Sequence, residues 1–230
     1  MRSSKSSGLI AKAVDAMTTN ETSFFRDVHP FMTLRKHILP EIIARKETEK
    51  TLNIWCAAAS SGQEPYTIAM ILKEYFPALA DWSVSILATD ISEEMLARCR
   101  KGVFSKLEVN RGLPAPLLIK YFQQNGADWQ IKDVLKDVID FRPLNLIAPW
   151  PLIPRMDIVF IRNVLIYFDV KTKQDILTNI RKNMDPEGYL FLGGAETTRN
   201  IDAEFHRLRL DKSTCYTLRE KNLAEIGVSA

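Results

Sequence analysis

The chain has 230 residues, of which 46% are hydrophobic and 26% charged, enough to bury a substantial core in one large domain or two small ones. That balance excludes a chain disordered throughout and a fibrous repeat. Lys and Arg number 31 against 28 Asp and Glu, and a net charge of +3 is too small a basic excess for a dedicated nucleic-acid or membrane-surface binder.

Residues 1–8 form a polar, Ser-rich leader, and LIAKAVDAM (9–17) carries apolar residues at helical spacing. Thr18, Thr19 and Asn20 make a cap-and-turn cluster. Phe24, Phe25, Phe31, Leu34 and Ile38 follow in a helical rhythm that Pro30 is expected to interrupt. LNIWCAA (52–58) is a short strand-forming run. A loop of small residues (58–62) leads into YTIAMILKEYF (66–76), apolar on one helical face. VSILATD (84–90) is a second buried strand ending in an acid. SEEMLARCRKG (92–102) is a helix with Ser92 as its cap and Gly102 as its stop.

This alternation predicts parallel strands joined by crossover helices. The stretch 103–150 is less regular, with VIDFRPLN (138–145) reading as a strand and turn. DIVFI (157–161) is a strand buried on both faces, and 170–184 is an amphipathic helix. Pro186-Glu187-Gly188 is a turn before the buried strand YLFLGG (189–194). FHRLRL and STCYTLRE (205–220), joined at Asp211-Lys212, alternate as an antiparallel hairpin.

The loop after the first strand carries the first chemical signal. Small side chains let a backbone approach a ligand, and the helix start offers free N–H groups. Here the loop holds a single glycine, Gly62, so the dinucleotide fingerprint is absent. Glu64 stands at the helix start, where a carboxylate repels phosphate and suits a ligand ammonium or cationic centre. It equally suits a plain helix-start acid ahead of Pro65. Asp90 ends the second strand, where ribose hydroxyls arrive in such units; its alternative role as a helix cap already belongs to Ser92. A glycine-poor loop and two acids suit an adenosine ligand without a pyrophosphate, and S-adenosylmethionine has that chemistry.

Arg162-Asn163 interrupts an apolar run directly after a strand. Burying an unpaired guanidinium is costly, which places the pair at the carboxyl edge of the sheet, facing either a ligand or solvent. Asn145 follows its strand at the same topological level. Cys56, Cys99 and Cys215 are too few and too widely spaced for a disulfide framework or a Cys-rich zinc site, and fit reduced cytoplasmic thiols. The three histidines are scattered and no HExxH or GxSxG occurs, so a metal site and a hydrolase triad lack support. No apolar region follows the leader as in a signal peptide, and no run reaches the roughly 18 apolar residues of a membrane span.

Four blocks in order, TTNETSFFRD (18–27), AAASSGQEPYT (57–67), ATDIS (88–92) and FIRNVLIYF (160–168), resemble the chemotaxis receptor glutamate methyltransferases of the CheR type over about residues 10–220. The resemblance implies an α/β, Rossmann-like class I methyltransferase fold. Its seven-stranded sheet ends in a reversed hairpin and carries a small antiparallel β-subdomain at about 128–143. The catalytic domain would span 20–221, between an N-terminal remnant (1–19) and a tail (222–230). It implies S-adenosylmethionine as donor, S-adenosylhomocysteine as product, no metal, and methyl transfer to glutamates in the cytoplasmic domain of methyl-accepting chemotaxis receptors. A monomer acting without nucleic acid or membrane insertion is expected.

Matched motif by motif, the family's cofactor contacts fall on Asn20, Thr22, Arg26, Glu64, Asp90, Asn145, Leu146, Arg162 and Asn163. Arg26 and Tyr167 fall near the transferring methyl. Little precedes the TTN run, where the family carries a helical domain implicated in receptor docking. QQNGADWQ (123–130) is short and has only Gly126, resembling members that do not need the receptor's C-terminal pentapeptide. Gly194-Ala195-Glu196 stands where the family often has His-Ser-Glu, and no role is assigned to it. The competing readings are a methyltransferase for another substrate and a non-catalytic cofactor-binding sensor or scaffold.

Overall fold

The computed structural model describes residues 21–221 and 226. The helix expected over 9–17 and the cluster at Thr18, Thr19 and Asn20 lie outside them. The helical region opens with α1 (His29–Thr33), continues through a π turn (Leu34–Ile38) and ends in α2 (Leu39–Arg45), burying Leu34, Ile38, Leu39 and Ile42. Pro30 does not interrupt this helix. It stands in the first turn, where an absent N–H forfeits no bond. Pro40 opens α2 after the π turn, whose wider winding admits a residue without an N–H.

Strand β1 (Thr51–Ala57) alternates as a doubly covered strand should. Leu52, Ile54 and Cys56 join the core on one face, and Trp55 and Ala57 the core on the other. Helix α3 (Gln63–Tyr75) follows, then β2 (Ser83–Asp90) and α4 (Glu93–Lys101). The Ser92 hydroxyl accepts the Met95 N–H at 3.1 Å, and Gly102 closes α4 in the left-handed region at φ 64°. Both are the ends that the sequence predicts. A Cβ on Gly102 would also lie 2.5 Å from Ile131 Cγ2.

Next come β3 (Val103–Ser105), α5 (Lys106–Asn110), α6 (Ala115–Tyr121), β4 (Phe122–Asn125), β5 (Asp128–Ile131) and α7 (Asp133–Lys136). The small antiparallel sheet has the order β3-β5-β4. It therefore occupies 103–131, which corrects the expected 128–143. Its first strand precedes two helices, and β6 (Ile139–Pro143) pairs in parallel with β2 in the main sheet.

The chain continues through β7 (Met156–Ile161), α8 (Val170–Asn183), β8 (Met184–Leu192), β9 (His206–Leu210) and β10 (Ser213–Thr217). The seven-stranded sheet has the order β6-β2-β1-β7-β8-β10-β9, with β10 reversed, so the α/β class I methyltransferase architecture and its terminal hairpin are present. The turn expected at Pro186-Glu187-Gly188 is a bulge inside β8. Met184 faces Met156, but Tyr189 already faces Ile158. Strands β6 and β9 form the two edges. No helix among the described residues is long and apolar enough to cross a membrane.

The strand order reverses direction between β1 and β7, opening a crevice at their carboxyl ends. At the opposite end, buried Asp157 of β7 accepts from Lys46 Nζ and from the Asn53 N–H, both at 2.8 Å. This ties α2 and β1 to β7 away from the crevice. Removing the carboxylate leaves the buried Lys46 ammonium with only Glu49 at 3.6 Å and the Asn53 N–H without that acceptor, so Asp157→Ala should lower unfolding free energy by about 3 kcal/mol. Urea denaturation checks this, and a loss below about 1 kcal/mol, typical of a surface pair, would contradict it.

Candidate functional site

Four strand ends and one preceding segment meet at the crevice. After β1 the chain turns through Ala58, Ala59, Ser60 and Ser61 to Gly62 before α3. Asp90, at the end of β2, faces this loop. Its Oδ2 accepts the Ser60 N–H at 2.7 Å and its Oδ1 the Ser92 N–H at 2.9 Å. Both oxygens thus fix backbone, and the carboxylate still lines the cavity. After β6, Asn145 Oδ1 accepts the Ile147 N–H at 3.1 Å, a turn that presents Asn145 and Leu146 to the cavity. Trp150 anchors this loop. Its indole N–H donates to the Leu146 carbonyl at 3.1 Å, and its ring meets Trp55 edge-on at 5.1 Å.

After β7 comes Arg162, whose side chain is 2% exposed. Its guanidinium donates to Glu64 Oε2 at 2.9 Å, Asp27 Oδ2 at 2.7 Å and the Arg26 carbonyl at 3.0 Å. It also lies 5.4 Å from the Phe31 ring centre. Of the two placements open in the sequence, the solvent-facing strand end is therefore wrong. Asn163 follows at φ 59°, a left-handed conformation that asparagine tolerates. Its side-chain Oδ1 is buried and has no hydrogen-bond partner among the described residues.

These groups surround a cavity of about 310 Å³. Thr22 and Arg26 enter from the N-terminal segment and Glu64 from α3. Asp90 comes from β2, Asn145 and Leu146 from the loop after β6, and Arg162, Asn163 and Tyr167 from the segment after β7. Asn20 lies outside the described residues. Arg26 donates to the Glu21 carbonyl at 2.6 Å, and Tyr167 stands 59% exposed at the cavity edge.

The lining is acidic on balance. Glu21, Glu64 and Asp90 face Arg26 and Arg162, and Asp27 stands behind Arg162. Burial pushes the Glu64 carboxyl above its ordinary 4.5, against the pull of the Arg162 guanidinium. One guanidinium shared by two carboxylates leaves this corner short of positive charge. The neighbouring thiols are quiet: burial raises Cys56 well above 9.0 and takes Cys99 up to about 12.

Two residues to which the sequence assigned no role belong to this site. Asp27 completes the Arg162 cluster, and its signal was adjacency to Arg26 in the FFRD run. Glu196 accepts four backbone N–H groups, from Gly193 at 2.7 Å, Asn163 at 2.8 Å, Val164 at 2.9 Å and Ile166 at 3.3 Å. Nothing local in Gly194-Ala195-Glu196 announces partners some 30 residues away.

Residues 20–214 match the CheR methyltransferase SAM-binding domain. The chain belongs to that family. It is 43% identical over 211 residues to a chemotaxis protein methyltransferase of Vibrio parahaemolyticus, covering 90% of this chain and 75% of the relative. It is 39% identical over 213 residues to chemotaxis protein methyltransferase Cher2 of Pseudomonas putida, covering 91% and 77%. It is 40% identical over 207 residues to the chemotaxis protein methyltransferase of Borreliella burgdorferi, covering 85% and 71%. CheR membership carries S-adenosylmethionine-dependent methylation in chemotaxis. The cavity's chemistry fits that donor. It offers acids of the kind that suit an ammonium or a sulfonium, guanidinium groups of the kind that suit a carboxylate, and a loop without a multi-glycine phosphate cradle.

The Glu64 shift has a definite sign. Above pH 4.5 the unfolded chain releases this proton while the folded state still holds it, so stability falls as pH rises through the folded value. In unfolding titrations without ligand, wild type should lose stability relative to Glu64→Gln as pH is raised from 4.5 towards neutrality. A pH-independent difference between the two would contradict the burial effect.

Proposed function

We propose that the protein transfers a methyl group from S-adenosylmethionine to glutamate side chains of methyl-accepting chemotaxis receptors, forming glutamyl methyl esters. The observation that carries this reading is the placement of Arg26 and half-exposed Tyr167 on one acid-lined cavity. A protein carboxylate can reach them there from outside. The receptors' cytoplasmic domain would be the partner, which gives a cytoplasmic site of action.

In this reading Glu64 meets the ligand ammonium and Asp90 the ribose hydroxyls. Arg162 meets the ligand carboxylate, directly or through the groups that it orders. Asn163, Asn145 and Leu146 contact the adenosyl part, with Thr22 and Asn20 closing the N-terminal side. When bound, S-adenosylmethionine supplies a methyl on positively charged sulfur, an electrophile that needs no metal. The substrate glutamate, with an ordinary pKa of about 4.3, is already an anion at neutral pH, so no residue has to act as base. The protein's task is alignment and exclusion of water. Arg26 orients the incoming carboxylate, and the Tyr167 hydroxyl donates to one of its oxygens. Neither should bind the anion tightly, because its charge disappears in the reaction and over-stabilising it would slow the step.

The test is transfer of radiolabelled methyl from the donor to a receptor cytoplasmic fragment. Base-labile label on glutamate is expected. Donor binding without transfer to any receptor would instead favour a sensor or scaffold. Arg26→Ala should lower kcat by about a hundredfold, the scale of a misaligned reacting group, with a smaller loss of S-adenosylhomocysteine affinity. Normal turnover in that variant would refute the orienting role.

We also propose that the receptor's C-terminal pentapeptide is not needed. The β4–β5 hairpin turns through Gly126-Ala127 alone, Asn125 pairing with Asp128, which supports a subdomain without a long glycine-rich loop. Deleting the receptor tail should leave the methylation rate unchanged. A fall of about tenfold, equivalent to about 1.4 kcal/mol of lost docking, would overturn this.

A further inference from the structure

We infer that Glu196 is a positioning residue for the donor site, holding the Asn163–Tyr167 segment in its binding conformation through three of its four main-chain hydrogen bonds, the fourth coming from Gly193. The inference rests on the cavity being the S-adenosylmethionine site and adds a residue to its working parts. Each carboxylate oxygen takes two N–H groups. Oε2 accepts from Gly193 and Asn163, and Oε1 from Val164 and Ile166. No Lys, Arg or His among the described residues forms an ion pair with it. Its partners are the backbone of β7's exit and the end of β8.

The segment needs such a clamp. It leaves a buried strand, passes through left-handed Asn163 and winds into a 3-10 turn (Leu165–Tyr167). Along this path successive N–H groups converge instead of pairing in a ladder, and a convergent set of donors attracts an anion. Here the anion is a side chain of the protein itself. The same short segment directs Arg162 inward, presents Asn163 and Tyr167 to the cavity, and leaves Asn163 Oδ1 buried without a partner among the described residues.

The fit is close on the β8 side. A Cβ on Gly193 would lie 2.7 Å from Glu196 Oε2, 2.8 Å from the Asn163 backbone nitrogen and 2.8 Å from Asn163 Nδ2. Only a carboxylate offers acceptor capacity on both oxygens. Glutamine has nearly the same shape, but its amide NH2 would face two N–H donors. Glu196→Gln therefore tests the acceptor pattern with little change in volume.

The experiment is calorimetric titration of the full chain with S-adenosylhomocysteine. Circular dichroism at the assay temperature establishes that each variant is folded. Glu196→Gln should weaken binding by about ten- to a hundredfold, the scale of lost charge-assisted bonds and a displaced contact segment. Asn163→Ala should weaken it on its own. Adding Glu196→Gln to Asn163→Ala should then cost less than about threefold more, since both changes remove the same contact.

Wild-type affinity in Glu196→Gln overturns the inference, as does full multiplication of the two losses. If Glu196→Gln fails to fold, Gly193→Ala tests the same junction by crowding Glu196 Oε2 while keeping the carboxylate in place. Weakened binding is expected there, and unchanged binding overturns the inference. A wild-type protein that binds S-adenosylhomocysteine but methylates no receptor would refute the proposed substrate and leave the Glu196 comparison decisive.

Discussion

The Arg162 guanidinium joins parts of the chain that are 98 and 135 positions away in sequence, through Glu64 and Asp27 respectively. A charge with 2% exposure survives only if it is paired, and here two carboxylates, a carbonyl and an aromatic face meet the guanidinium, while its Nε has no partner among the described residues. The cluster joins three of the segments that line the cavity. It fixes where the segment carrying Arg26 lies, how α3 begins and where β7 ends. Removing either carboxylate leaves the guanidinium paired with the other, but cuts one of the two long-range ties that the cluster makes.

Two carboxylates of the site solve opposite problems. Glu64 faces a cation already shared with Asp27, and burial outweighs that attraction and raises its pKa. The shortage of positive charge recommends this corner for a cationic ligand group. Glu196 is satisfied by dipoles of the main chain and needs no ligand. In the proposed reading one carboxylate belongs to recognition and the other to the shape of the wall. Residue type alone does not separate them; only the partners do.

The strand–loop–helix–strand–acid order was legible because buried parallel strands write continuous apolar runs and because Ser92 and Gly102 mark the ends of their helix. Arg162 was legible because a guanidinium inside an apolar run demands a reason. The small sheet was not. Its strands β3 and β4 are short, β4 exposes Gln123, Gln124 and Asn125, and pairing across two intervening helices leaves no local period. Pro30 misled because proline breaks a helix interior but opens a helix start, and the difference depends on where the helix begins. Glu196 was illegible for a related reason. Its partners are backbone amides, which carry no residue-type signature.

The edges of the main sheet bear on how the molecule meets copies of itself. Strand β6 ends at Pro143 and carries the Asp140–Arg142 ion pair, while β9 turns His206, Arg207 and Arg209 outward between buried Leu208 and Leu210. Proline denies a ladder one donor, and the like charges of Arg207 and Arg209 oppose their own image. Both margins therefore resist the strand-to-strand lengthening that seeds aggregates.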